Sequence, residues 1–149
     1  MQLTPLIAVH MTAALTAIAL GPVALWARKG ATQRPKLHRA FGYAWVTLML
    51  TAAISAIFIR DVGLPNIAGY TPIHIFVPVT FYFLFRAFQH LAHGNIAGHR
   101  MAMQRLYISA CIVAGAFTLL PGRYLGNFVW HDWLGLSSPK ITAAQTQNP

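Results

Sequence analysis

Seven histidines stand in a chain with little other side-chain chemistry, and their positions relative to its apolar segments define what they could do. His10 lies inside the first apolar segment and His74 just inside the start of the third, while His38 and His99 stand at the entrances of the second and fourth. In an up-down-up-down bundle, helices one and three are diagonal, as are two and four. His10 and His74 then share one membrane leaflet, and His38 and His99 share the other. Two imidazoles facing each other across a bundle are the axial ligands of a six-coordinate b-type haem. The spacing therefore predicts two candidate haem-iron sites, one at His10 and His74 and one at His38 and His99. A porphyrin needs room beside its ligands. Ala13, Ala14, Ala17 and Gly21 follow His10 at helical spacing, and Gly42 lies one turn from His38. The same small residues equally serve close helix packing in membranes.

A rival grouping joins His90 and His93, three apart on one helical face, with His99 across a short turn, as a zinc or copper site. No nearby Cys, Asp or Glu completes that set. Arg39 and Arg100 each follow an inner histidine, where they suit haem propionates, a quinone headgroup or a phosphate, and where they also serve as topology anchors. Arg86 can snorkel to the same face. Tyr43, Tyr82 and Tyr107 fall within spans and read as packing residues. His131 beside Asp132 reads as a solvated side chain. The single Cys111 sits in an apolar run, so no disulfide framework or CxxC motif exists.

The elements that must position these residues are membrane helices. Of 149 residues 56% are hydrophobic and 9% charged, with eleven Lys and Arg against two acids and a mean hydropathy of +0.53. That is the composition of a membrane protein. The basic residues cluster at the ends of apolar runs rather than forming a stripe, which suits anionic lipid headgroups and speaks against nucleic acid. Helices are predicted over about residues 3–27, 40–59, 72–93 and 100–121, each near the length of about 20 residues that crosses a bilayer. The first is a retained helix rather than a signal peptide, since positive charge follows it and does not precede it. Arg28, Lys29, Arg34, Lys36 and Arg39 crowd one loop, with Gly30 and Pro35 expected to break any helix there, and Arg100 and Arg105 mark a second basic region. The positive-inside rule puts both in the cytoplasm and both termini outside. Pro72 suits a helix first turn, Pro78 is a possible kink, and residues 94–98 form a turn. Residues 123–136 read as an aromatic interfacial segment and 137–149 as a disordered tail, beyond a four-helix domain over 1–136.

No carboxylate lies within a span, which argues against a proton-coupled carrier built on Asp or Glu. No G-x-S-x-G, H-E-x-x-H, Walker or CxxCH motif occurs. The order His10 with Gly21-Pro22, then His38-Arg39-x-x-Gly42, then His99-Arg100-x-x-Met103 resembles bacterial membrane proteins of the domain of unknown function 2306 family, over about residues 5–125. The resemblance implies four membrane helices and supplies no activity. The fold expected is an all-α integral membrane four-helix bundle in the bacterial inner membrane. Its expected function is that of a b-type cytochrome, binding haem b and passing electrons between a quinone and a membrane or periplasmic redox partner. The alternative is a haem-free structural or accessory subunit whose histidines and arginines bind lipid or a partner protein.

Overall fold

In the computed structural model, residues 4–27, 34–60, 70–120, 126, 128–133 and 135 are described. The basic loop at 28–33, the connection at 61–69 and the tail at 137–149, expected to be disordered, lie outside them. The described residues are helical throughout their long elements. Helix α1 is Pro5–Trp26, α2 is Pro35–Phe58, α3 is Pro72–Ala92 and α4 is Ile96–Thr118. All four are long and apolar enough to cross a membrane. The shortest, α3 with 21 residues, would span about 31 Å against a hydrocarbon core of about 30 Å.

The chain forms two compact units, residues 1–115 and 116–149. In the first, α1 packs along α2, α2 on α3, α3 along α4, and α4 back on α1. This closes a ring in which α1 and α3 are diagonal, as are α2 and α4. Its core holds Ala17, Trp45, Met49, Leu84, Leu106 and Cys111. Large apolar side chains such as Leu15, Ile54, Phe85 and Ile108 point outward, as suits helices that meet lipid instead of water. Helix hydroxyls turn back on their own backbones: Thr51 Oγ1 donates to Thr47 O at 2.9 Å, Ser55 Oγ to Thr51 O at 2.7 Å and Thr80 Oγ1 to Phe76 O at 2.7 Å. In hydrocarbon such internal partners are the only ones on offer.

Two helices start earlier than their apolar runs. Pro35 occupies the first position of α2, where its missing N–H costs nothing because that amide has no intrahelical partner anyway. Pro35 thus begins the helix it was expected to interrupt. The turn before α4 shrinks to His93-Gly94-Asn95. Gly94 takes φ +67°, Asn95 N donates to His90 O at 2.8 Å and Gly94 N to Leu91 O at 3.1 Å, which closes α3 as a Schellman motif. Asn95 then caps α4, its Oδ1 accepting from Gly98 N at 2.8 Å. At the other end of α3, Pro72–Ile75 is a 3₁₀ turn leading into the α-helical stretch Phe76–Ala92. Pro78 falls in the first turn of that stretch, where a helix tolerates the loss of a donor.

In the second unit, Phe128–Trp133 forms a short helical turn, and Trp130 Nε1 donates to Leu119 O at 2.8 Å.

Candidate functional site

Because α2 and α4 begin early, His38 and His99 sit inside their helices, each as the fourth residue counted from Pro35 and Ile96. Their surroundings match. His38 Nδ1 donates to Ala24 O of α1 at 2.9 Å, and His99 Nδ1 donates to Ala87 O of α3 at 3.0 Å. In both cases the second helix of a hairpin returns an imidazole to a carbonyl of the first, so the hairpins α1–α2 and α3–α4 repeat one device. The carbonyl can only accept, so Nδ1 must carry a proton, and in the neutral ring it is Nε2 that holds the lone pair. A backbone carbonyl on one ring nitrogen is the support that orients metal-ligating histidines elsewhere.

Both rings line one cavity of about 610 Å³, within the range of about 300–1,000 Å³ that small-molecule sites occupy. Gly21 and Ala24 of α1, Gly42 of α2 and Phe88 of α3 form its walls, with Met103 and Tyr107 of α4. A Cβ placed on Gly42 would meet nothing within 4 Å, so the space over that residue is open. Arg39 and Arg100 line the same cavity and are exposed at its mouth. The N-termini of α2 and α4 lie at this end, and their partial positive charge favours an anion. The only acids in the sequence, Asp61 and Asp132, lie outside the four spans. The site thus offers two imidazoles, apolar and aromatic walls, and two guanidiniums at its rim.

Some of the small residues divide between the two tasks expected of them. Ala13 and Ala17 are buried and pack helices, while Gly21 and Gly42 wall the cavity.

The other histidine pair has different partners. His10 Nδ1 donates to Ala52 O of α2 at 3.0 Å, with Ser55 Oγ at 3.1 Å. His74 Nε2 donates to Ile59 O, at the end of α2, at 2.9 Å, and its Nδ1 accepts from Thr71 N at 3.2 Å. His10 and His74 therefore both bond toward the C-terminal end of α2, and both ring nitrogens of His74 are committed to backbone groups. The Tyr70 ring stands edge-on to His74, centroids 5.1 Å apart, and Arg60 lies 5.4 Å over the same tyrosine.

His90, His93 and His99 do not converge. His93 Nδ1 donates to Gln89 O at 2.8 Å, His90 Nδ1 accepts from Asn95 Nδ2 at 3.4 Å, and His99 turns to Ala87. Among the described residues no three His, Cys, Asp or Glu side chains are grouped to hold a metal ion. Arg86 Nη1 donates to Gln89 Oε1 at 2.5 Å. Cys111 is buried with Sγ 3.6 Å from Met49 Sδ.

Two residues acquire roles that their apolar setting concealed. Tyr107 OH donates to Ile18 O at 3.1 Å, and Trp45 Nε1 donates to Ala17 O at 3.0 Å. The available signal was Pro22, which has no N–H and so releases the carbonyl four residues back, that of Ile18.

An all-helical protein with four candidate spans around a histidine- and arginine-lined cavity is, as a class, a polytopic membrane protein, whose outer surface meets the lipid bilayer. The chain belongs to the family of predicted membrane proteins described as DUF2306, whose model it matches over residues 7–134. No curated protein and no solved structure matches it.

Proposed function

We propose that the protein is a b-type cytochrome with one haem, held in the shared cavity by His38 and His99 and exchanging electrons with a quinone or another redox partner. The observation that carries the reading is the matched pair of imidazoles, each with Nδ1 tied to a backbone carbonyl of its own hairpin and each lining the same cavity. That arrangement leaves two Nε2 lone pairs for one occupant. The donor set and the cavity size both suit haem, and Gly42 leaves space that any side chain would fill. Arg39 and Arg100 at the rim suit the two propionates. Bound there, haem would supply one-electron chemistry. The chain itself would orient the ligands, exclude water with its aromatic walls and neutralise the carboxylates.

The reading places one centre in the bundle rather than two, because His74 would have to release Ile59 O to offer Nε2 to iron. It puts the basic end of the bundle in the cytoplasm, with both termini outside, in the inner membrane of a bacterium, on the bias of positive charge.

The test is an absorption and electron paramagnetic resonance spectrum of protein purified from haem-supplied cells. A low-spin bis-imidazole signature is expected. A preparation that stays colourless after incubation with excess haemin sinks the proposal and leaves a haem-free subunit whose arginines bind lipid or a partner protein.

A further inference from the structure

We infer that Gly21, Pro22 and Tyr107 build a floor under the cavity, and that Tyr107 is a positioning residue that sets how deep the ligand can sit. The inference deepens the haem reading and rests on it for the identity of the ligand.

A phenol inside a membrane span costs free energy unless its hydroxyl finds a partner. An interior proline likewise strands a carbonyl. Here the two orphans meet: Pro22 frees Ile18 O, and Tyr107 OH donates to it at 3.1 Å. The ring reaches that carbonyl only because residue 21 has no side chain, since a Cβ on Gly21 would collide with the Tyr107 ring. Trp45 approaches from α2, its ring centroid 6.5 Å from that of Tyr107 and its Nε1–H on the adjacent carbonyl of Ala17. Two aromatic side chains from α2 and α4 are thus fastened to consecutive carbonyls of α1.

The depth follows from helix geometry. His99, Met103 and Tyr107 lie four residues apart on one face of α4 and all line the cavity. Tyr107 is then about 12 Å below His99, and Trp45 about 10 Å below His38, at 1.5 Å per residue. Tyr107 is also where the hydrogen bonds of α4 widen to i→i+5, over Tyr107–Val113, a form of helix common at functional sites. A floor two turns beneath the histidines leaves room for a compact ring ligand and closes the bundle axis to a long isoprenoid tail.

The test is haemin titration of the full-length protein in detergent, followed at the Soret band. Gly21→Ala pushes the Tyr107 ring into the cavity, and should weaken haem uptake at least tenfold or replace the low-spin spectrum by a high-spin one. Gly21→Ala combined with Tyr107→Ala removes the intruding ring and should recover uptake. Gly21→Ala with wild-type affinity and spectrum overturns the inference, as does a double variant that stays helical by circular dichroism and empty.

A second readout does not need haem. Gly42→Cys in a Cys111→Ala background places a thiol in the cavity, and a maleimide should modify it several-fold more slowly when Gly21→Ala is added, with the rate restored by Tyr107→Ala. If the wild-type protein takes up no haem, the haem reading fails, and the alkylation rates alone judge the floor: equal rates in the three backgrounds overturn it.

Discussion

The function proposed here depends on which nitrogen of a histidine carries a proton. Ala24 O and Ala87 O fix that at His38 and His99, while at His74 both nitrogens are spent on Ile59 and Thr71. His38→Ala and His99→Ala should therefore each abolish the same low-spin component, because a bis-imidazole site loses its character with either ligand. His90→Ala and His93→Ala should leave the spectrum unchanged. His74→Ala should leave it unchanged too and instead destabilise the protein by about 1 kcal/mol, the cost of leaving the part-buried Ile59 O without its partner, which thermal unfolding in detergent would read. A spectral component lost with both His10→Ala and His74→Ala would instead establish a second centre at the other end. The sequence shows the His-Arg steps, because they are local, and helix order pairs His38 with His99. It does not show the carbonyl partners, because Ala24 and Ala87 are defined only by how each hairpin packs.

At the scale of the helix, proline and glycine positions explain most of what differs from a reading by hydropathy. An apolar window begins α2 after its basic residues, whereas the backbone begins it at Pro35, so Lys36 and Arg39 are helical. His93-Gly94-Asn95 similarly joins two helices with three residues, a signal that is local and legible once Asn95 is taken as a cap. The pairing of Pro22 with Tyr107 is not local, since 89 positions separate Tyr107 from Ile18, and no pattern of period 3.6 reports it. It makes a sharp prediction. Tyr107→Phe should cost about 1–3 kcal/mol by leaving Ile18 O without its donor. Pro22→Ala restores an N–H four residues on, so in that background the same Tyr107→Phe change should cost markedly less. A double-mutant cycle on thermal stability measures the difference, and equal costs in the two backgrounds would show that the two residues are not coupled. Gly94→Ala should cost about 1 kcal/mol, because its φ of +67° strains any side chain.

For the whole molecule, each end of the bundle carries an aromatic residue beneath an arginine. Arg34 lies 5.7 Å over the Trp26 ring at one end, and Arg60 lies 5.4 Å over Tyr70 at the other, pairings that suit the two membrane–water interfaces. The pairs fix where the ends lie and leave open which end faces the cytoplasm. Charge decides that in the proposal. Arg28, Lys29, Arg34, Lys36 and Arg39 flank the first connection and Arg100 and Arg105 the third, whereas both acids, with Arg60, Arg123 and Lys140, belong to the other side in sequence order. Orientation follows Lys and Arg near span ends and is little affected by acids, so the cavity and its two arginines should open toward the cytoplasm. With Cys111 replaced by Ala, a cysteine at Gln33 should be protected from an impermeant thiol reagent in intact cells, and one at Gln145 should be labelled. The reverse pattern would invert the molecule. The His38 and His99 cavity would then face the outside, and its redox partner would have to be sought there.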